Sequence, residues 1–324
     1  MSYAQFGLIQ ASDYNSLVGG NPTTTANTLN AVWATGSGGV GYGQTAAANV
    51  SAGASVAATN WATLINNTSS AASHQGATLG TVTTPTSGGT VTYQANVVTN
   101  LQTIYGNRLN AAAQGSTTAN TTTTGGAWTD TATFTFTVTF ANGDAARYFF
   151  NAGGQIKMTA SHPNNTAGIN AAFNSLASAT GTIVVSGQNS GSRTIVGTSY
   201  NGLTKVGGSG DAVANSALGY FGLTTNAIGG TNTLLLDQNY STSPYSGLVE
   251  IQYRGNVNGV QGSNGDNGTI VRIVSTWNSD TANTIKVVGS GSAVTCTAVP
   301  PSQTNIANTW GAITIAGSVV TANV

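Results

Sequence analysis

The chain's acid–base chemistry would have to begin at Glu250, its only glutamate, in the run YSGLVEIQYRGN. Hydrolysis of a glycosidic bond needs two carboxyl groups about 5–9.5 Å apart. Asp237 and Asp266 are the acids that could join Glu250 in space, though nothing in the sequence brings two of them together. The expected fate of Glu250 is an ion pair across strands with Arg254 or Arg272. Nucleophilic chemistry fares no better. There is no Gly-x-Ser-x-Gly elbow, and Cys296 has no histidine near it in sequence. The two histidines are His74, expected near a helix end, and His162 in ASHPNN, where the following proline suggests a turn. Two histidines and one cysteine do not make a zinc site. Cys296 is expected in the core, where a lone thiol behaves as a small hydrophobe.

Glycine-rich stretches invite two further readings. GSNGDNG (262–268) resembles a calcium loop but lacks the downstream acid such a loop needs, so a tight turn between strands is expected. In KVGGSGD (205–211) the lysine precedes the glycines and no Gly-Lys-Ser/Thr follows, against a phosphate-binding loop. No catalytic residue, metal site or cofactor is therefore expected.

Composition narrows the remaining classes. Only 5% of the 324 residues are charged, eight basic and eight acidic, against about 25% in ordinary soluble domains. The apolar share of 40% still argues for a folded chain. The basic residues are scattered, which disfavours nucleic-acid binding. The opening MSYAQFGLIQASDYN has no basic run followed by an apolar stretch, so neither a secretion signal nor membrane insertion is expected. A neutral chain has little protection against self-association, and neutral faces rich in Thr, Asn and Gly suit contact with neighbouring copies.

The elements that would position these residues divide the chain in two. Asp13 is the only charged residue before Arg108. Residues 1–125 read as a mostly helical docking or oligomerisation region. Leu29, Val32 and Trp33 share one helical face. Trp61, Leu64 and Ile65 share another, closed by Gly76. Val97, Leu101, Ile104 and Tyr105 follow helical spacing that extends to Leu109. Residues 76–90 read as a loop or short hairpin, and 116–126 as a linker. Residues 126–324 read as a β-rich body, either an antiparallel sandwich or a barrel-like sheet, with one inserted helix over 166–179; the fold class is α+β, mainly β. In TATFTFTVTF the apolar residues Ala132, Phe134, Phe136, Val138 and Phe140 face one way and threonines the other. Asn142-Gly143 then reads as a hairpin turn, with Tyr148, Phe149 and Phe150 on a returning strand. Further strands are expected at 181–187, 193–198, 231–237, 246–254, 268–277, 283–298 and 309–320.

FTVTFANGDAARYFFNAGGQIKMTASHP resembles virion structural proteins of tailed bacteriophages, including marine and cyanobacterial phages. IYGNRLNAAAQG, ASDYNSLVG, GYGQTAAANVSAG, NWATLINNTSSAASHQG, TIVGTSYNGLTKVGGSG and NTWGAITIAG fit the same pattern, so the resemblance covers most of the chain. It implies a non-enzymatic particle component, made in the host cytoplasm and located in the virion. The first expectation is a tail-associated fibre or tip subunit that helps attach the particle to its host; the alternative is a lattice-forming tube, coat or decoration subunit. A virion-borne polysaccharide hydrolase is a third reading. The expected partners are further copies of the chain, with a trimer favoured by analogy to fibres, other virion proteins, and a host surface glycan. For the glycan, Tyr240, Tyr245 and Tyr253 offer aromatic faces. Asn256, Asn258, Asn264 and Asp266 in the 256–268 segment offer hydrogen-bonding groups.

Overall fold

Threonine–phenylalanine alternation forms the centre of a sheet. The computed structural model describes residues 10–19, 26–36, 39–87, 96–163, 168–188, 191–225, 232–279 and 287–322. Strand β2 (Thr129–Thr139) buries Ala132, Phe134, Phe136 and Val138 on one side and leaves Thr131, Thr133, Thr135, Thr137 and Thr139 half-buried on the other. It lies between β12 (Thr314–Ala322) and β10 (Ile270–Asn278). Beyond β10 come β9 (Glu250–Val257) and β8 (Thr233–Asn239), and all pairs are antiparallel. Register places Val138, Val271 and Val257 in one inner row, and Phe136 and Ile273 in the next with Gly255. Phe134, Ser275 and Tyr253 form the third row.

The second five-stranded sheet runs β1 (Thr118–Thr123), β11 (Ala293–Val299), β3 (Gln155–Ser161), β4 (Thr182–Ser186) and β7 (Leu203–Val206), again antiparallel. Its inner rows are Cys296–Met158–Ile183 and Ala298–Ile156–Val185. These join the first sheet's apolar face in one buried cluster, and β1 comes close to β12 where the sheets meet. A small hairpin, β5 (Arg193–Ile195) with β6 (Thr198–Tyr200), buries Ile195 and Tyr200 with Val184 and Ala111 in a separate cluster. The α+β, mainly β architecture is as the sequence predicts, with two antiparallel sheets and α6 (Gly168–Thr180) reaching both of them. Residues 166 and 167 of the expected helix lie outside the described residues.

Several expectations need correction. The returning strand after Asn142-Gly143 is a helix, α5 (Gly143–Asn151). Asn-Gly suits a hairpin turn, but Asn is equally an N-cap. Here the Asn142 side chain accepts the Ala145 amide at 2.8 Å. Ala145, Ala146, Phe149 and Phe150 then fall on one face at helical spacing and are buried. The strand that follows is β3, which the sequence reading missed along with β7. Residues 116–126 are no linker: β1 pairs with β11, and the Thr121 and Thr295 hydroxyls hydrogen-bond at 2.8 Å. The expected strand over 193–198 is interrupted where Val196 and Gly197 adopt positive φ, 48° and 73°. Strand β11 begins at 293; residues 283–286 lie outside the described residues.

The N-terminal part supplies α1 (Ala11–Val18), α2 (Leu29–Val32), α3 (Ala58–Gln75) and α4 (Asn96–Gly106). Helix α3 starts where Asn60 accepts the Ala57 amide at 2.9 Å, and ends at Gly76, whose φ of +71° favours a residue without Cβ. Helix α4 stops at Gly106, three residues short of the predicted end; beyond it the chain turns through i→i+3 bonds from the Arg108 amide to Tyr105 and from the Asn110 amide to Asn107. This part is not packed apart from the sheets. Tyr14, Trp61 and Leu101 share the cluster that holds Phe136 and Trp310. Gln44 also exchanges two 2.9 Å hydrogen bonds with the backbone of Ala307.

Candidate functional site

The residues proposed from sequence for glycan contact do not form one surface. Tyr240 and Tyr245 lie half-buried in the β8–β9 turn, whereas Asn258, Asn264 and Asp266 lie in the β9–β10 loop. Strand β9 separates the two groups by its eight residues, about 26 Å at strand rise. Tyr253 and Asn256 are buried, at 0% and 1% exposure; neither presents a face to a ligand in solvent. Tyr253 points inward by strict alternation beside Ile251. The sequence reading overlooked that periodicity because tyrosine suits both a core and a rim.

The loop's polar groups are largely spent on the loop itself. Asn258 Oδ1 accepts the Thr269 and Ile270 amides, each at 2.8 Å. The Asp266 carboxylate accepts the amides of Gly262 at 2.5 Å and Ser263 at 3.0 Å. Asn264 remains exposed at the tip. GSNGDNG is thus a self-bonded turn between strands. It is anchored on α5, where Asp144 Oδ1 accepts the Gly265 amide at 3.1 Å.

The possible catalytic groups are placed as follows. Glu250 has no arginine partner, contrary to expectation. Its carboxylate accepts from Asn278 Nδ2 and, at 3.4 Å, from Gln252 Nε2. That same Gln252 nitrogen donates to Asp237 at 3.1 Å, so the two acids flank one amide. Arg254 donates to Gln252 instead and Arg272 to Asn232. Both acids stand on the half-buried outer face of the β8–β9 pair.

His74 is buried in α3, with Nε2 3.0 Å from the Ala152 carbonyl, and burial pushes its pKa down to about 4. His162 is buried and bonded to Ser292 and Asn170, so it braces α6 against the β11 approach; it is more than a turn residue. Desolvation lowers its pKa despite the Asn170 bond. Cys296 is buried, and burial raises its thiol pKa to about 12, leaving it inert as a nucleophile. Lys205 Nζ is held by the carbonyls of Ser209 and Asp211 and by Gln238, so the 205–211 loop folds around its own lysine. Among the described residues no three His, Cys, Asp or Glu side chains gather as a metal site, and no helix is long and apolar enough to cross a membrane.

A cleft of about 340 Å³ lies at the other side of the anchored loop. It is lined by Arg108 after α4, Asn151 at the end of α5, and Gln188, Phe221 and Gln261. Asn151 and Gln261 spend their amide hydrogens on nearby carbonyls. The guanidinium of Arg108, with Nη1 already donating to the Tyr105 carbonyl, and the side-chain amide of Gln188 are the remaining side-chain donors on the wall. No sequence pattern announced this cleft, because its lining comes from six separated segments. Comparison of the chain with family models, with curated proteins and with solved structures found no match.

Proposed function

We propose that the chain is a homo-oligomeric structural subunit of a bacteriophage virion, a tail-associated fibre or tip component that contributes to host attachment. One observation carries the reading: the outer face of the β12–β2–β10 sheet. Thr133, Thr135, Thr137 and Thr139 of β2 stand between Ala316, Ser318 and Val320 of β12 and Val274 and Thr276 of β10. Val320 is 71% exposed. Between Thr131 and Thr139 of β2 and the residues paired with them, Arg272 is the one charged side chain of the outward rows, with the exposed Asp130 at the start of β2. Such a face suits contact with further copies, because burying it costs little charge desolvation. The similarity of FANGDAARYFFNAGGQI and its companion segments to virion structural proteins supports placement in a particle. The trimer rests on analogy with phage fibres.

Two experiments test the proposal. Immunogold labelling of particles should mark the tail end; a continuous coat would favour a lattice subunit, and unlabelled particles would defeat the reading. Sedimentation at low salt and at ~1 M salt, where the screening length is about 3 Å, should give the same oligomer. A Val320→Lys substitution should weaken that oligomer while leaving the monomer folded.

A further inference from the structure

Arg108 and Arg193 lie close enough to act on each other where α4 ends, and among the buried arginines the charges are unequally answered. Arg147 is buried, but Nη2 meets Asp144 at 2.8 Å and Nη1 donates to the Gly39 carbonyl at 2.8 Å. Arg193 is 1% exposed; Nη1 donates to the Phe150 carbonyl at 2.5 Å, while Nε and Nη2 have no partner among the described residues. Arg108 lies over the Tyr105 ring, 4.4 Å from its centroid, and Nη1 donates to the Tyr105 carbonyl at 2.7 Å; its buried Nε is likewise unpartnered.

No carboxylate pairs with Arg108 or Arg193 among the described residues. The aromatic neighbour that could have carried a negative charge, Tyr42, stays neutral: burial raises its pKa, and its hydroxyl donates to the Arg108 carbonyl at 2.7 Å. Burial is the larger cause of the fall in the Arg193 pKa to about 10, and the like charge of Arg108 adds to it. A buried guanidinium with two idle N–H groups beside a second cation is costly unless an anion answers it.

Arg108 opens onto the 340 Å³ cleft, and Asn151 of its wall adjoins Phe150, the residue whose carbonyl holds Arg193. We propose that this cleft binds a small oxyanion, held by the Arg108 guanidinium with Arg193 adding its charge from the interior. A planar guanidinium matches a carboxylate or a phosphate group through paired N–H···O bonds. The ligand class is therefore a phosphate or the carboxylate of an acidic sugar. This inference rests on the cleft and on Arg108 in its wall, not on a place in a virion.

Calorimetric titration of the purified chain with inorganic phosphate and with glucuronate, at constant ionic strength set by chloride, tests it. Saturable binding of phosphate alone assigns a phosphate group, and of glucuronate an acidic sugar. Arg108→Gln should raise the dissociation constant ~10-fold or more, as expected for losing a hydrogen bond to a charged group. Arg254→Gln, on the remote sheet face, should not change it. Failure of the wild-type chain to bind either anion overturns the proposal without recourse to any variant. So does equal weakening by both substitutions.

Discussion

Phe173 of α6 lies nearly parallel to Trp277 of β10, their ring centroids 5.5 Å apart and their planes 14° from coplanar. Trp128 also packs on Phe173, tilted by 58° with its ring centroid 5.3 Å away. Both partners are fully buried, so one helical side chain couples α6 to the start of β2 and the end of β10, which the antiparallel register places at the same end of the first sheet. Aromatic pairs in offset stacks add to simple burial.

Phe173→Ala should therefore destabilise the fold by roughly 3–5 kcal/mol, the range for emptying a large aromatic site. Phe173→Leu, which refills most of the volume, should cost less than half as much. Denaturant midpoints of the two variants check this. Equal, small losses would mean that α6 is not clamped by the tryptophans.

His74 gives stability a pH dependence of defined sign. Its folded pKa of about 4 lies below its ordinary 6.5. Between these values the unfolded chain binds the proton and the folded chain does not. The contribution is complete above pH 6.5, declines as pH falls, and levels below about 4. The whole effect is about 3 kcal/mol. His74→Gln keeps a donor for the Ala152 carbonyl but removes the titration. Wild type minus variant should show a falling difference from pH 7 to 4 in denaturation experiments, and a flat difference would exclude His74 as its source.

Helix α5 offers two substitutions with contrasting reasoning. Asn142→Ala removes the cap on the Ala145 amide and should cost about 1 kcal/mol. Gly143→Ala improves helix propensity on paper. A Cβ there would come within 2.1 Å of the Asp266 carbonyl oxygen, so the 262–266 loop would have to move. Its expected cost is about 1–3 kcal/mol, as for overpacking. Faster hydrogen exchange at the Gly265 amide should accompany it, since that amide depends on Asp144.

The comparison of these elements shows what a sequence of this composition reveals. Strand β2 was legible because period-two alternation runs unbroken over the nine residues Thr131–Thr139. Helices α3 and α6 were legible because their apolar stripes and bounding glycines agree. Helix α5 was misread because Asn-Gly serves two motifs, and the local run YFF fits strand and helix alike. Strand β1 was invisible: TANTTT has no apolar side to alternate, and its pairing with β11 is set by residues some 175 positions away. The cleft was hidden for the same reason. Arg108 and Arg193 look like scattered surface charges until the fold brings them together.

Glu250→Gln addresses whether the chain is an enzyme, and its interpretation has sharpened with the geometry. Glu250 and Asp237 sit on neighbouring strands and share the Gln252 amide. Their separation is thus compatible with a two-carboxylate hydrolase, the arrangement the sequence alone could not place. Neither acid lies among the residues lining the cleft, and both stand half-buried on the outer face of the β8–β9 pair. A structural role predicts that Glu250→Gln shifts stability by no more than about 0.5 kcal/mol, as for partly exposed sites away from the core. Oligomerisation and host binding should persist. Wild type and variant should be incubated with host surface polysaccharide and assayed for released reducing ends. Release by wild type and none by an equally stable Glu250→Gln chain would make Glu250 catalytic and end the structural reading. Silence from both leaves Gln252 bridging two carboxylates as a brace between β8 and β9. Asp237→Asn should then lower stability only as far as that hydrogen bond weakens, by about 1 kcal/mol or less.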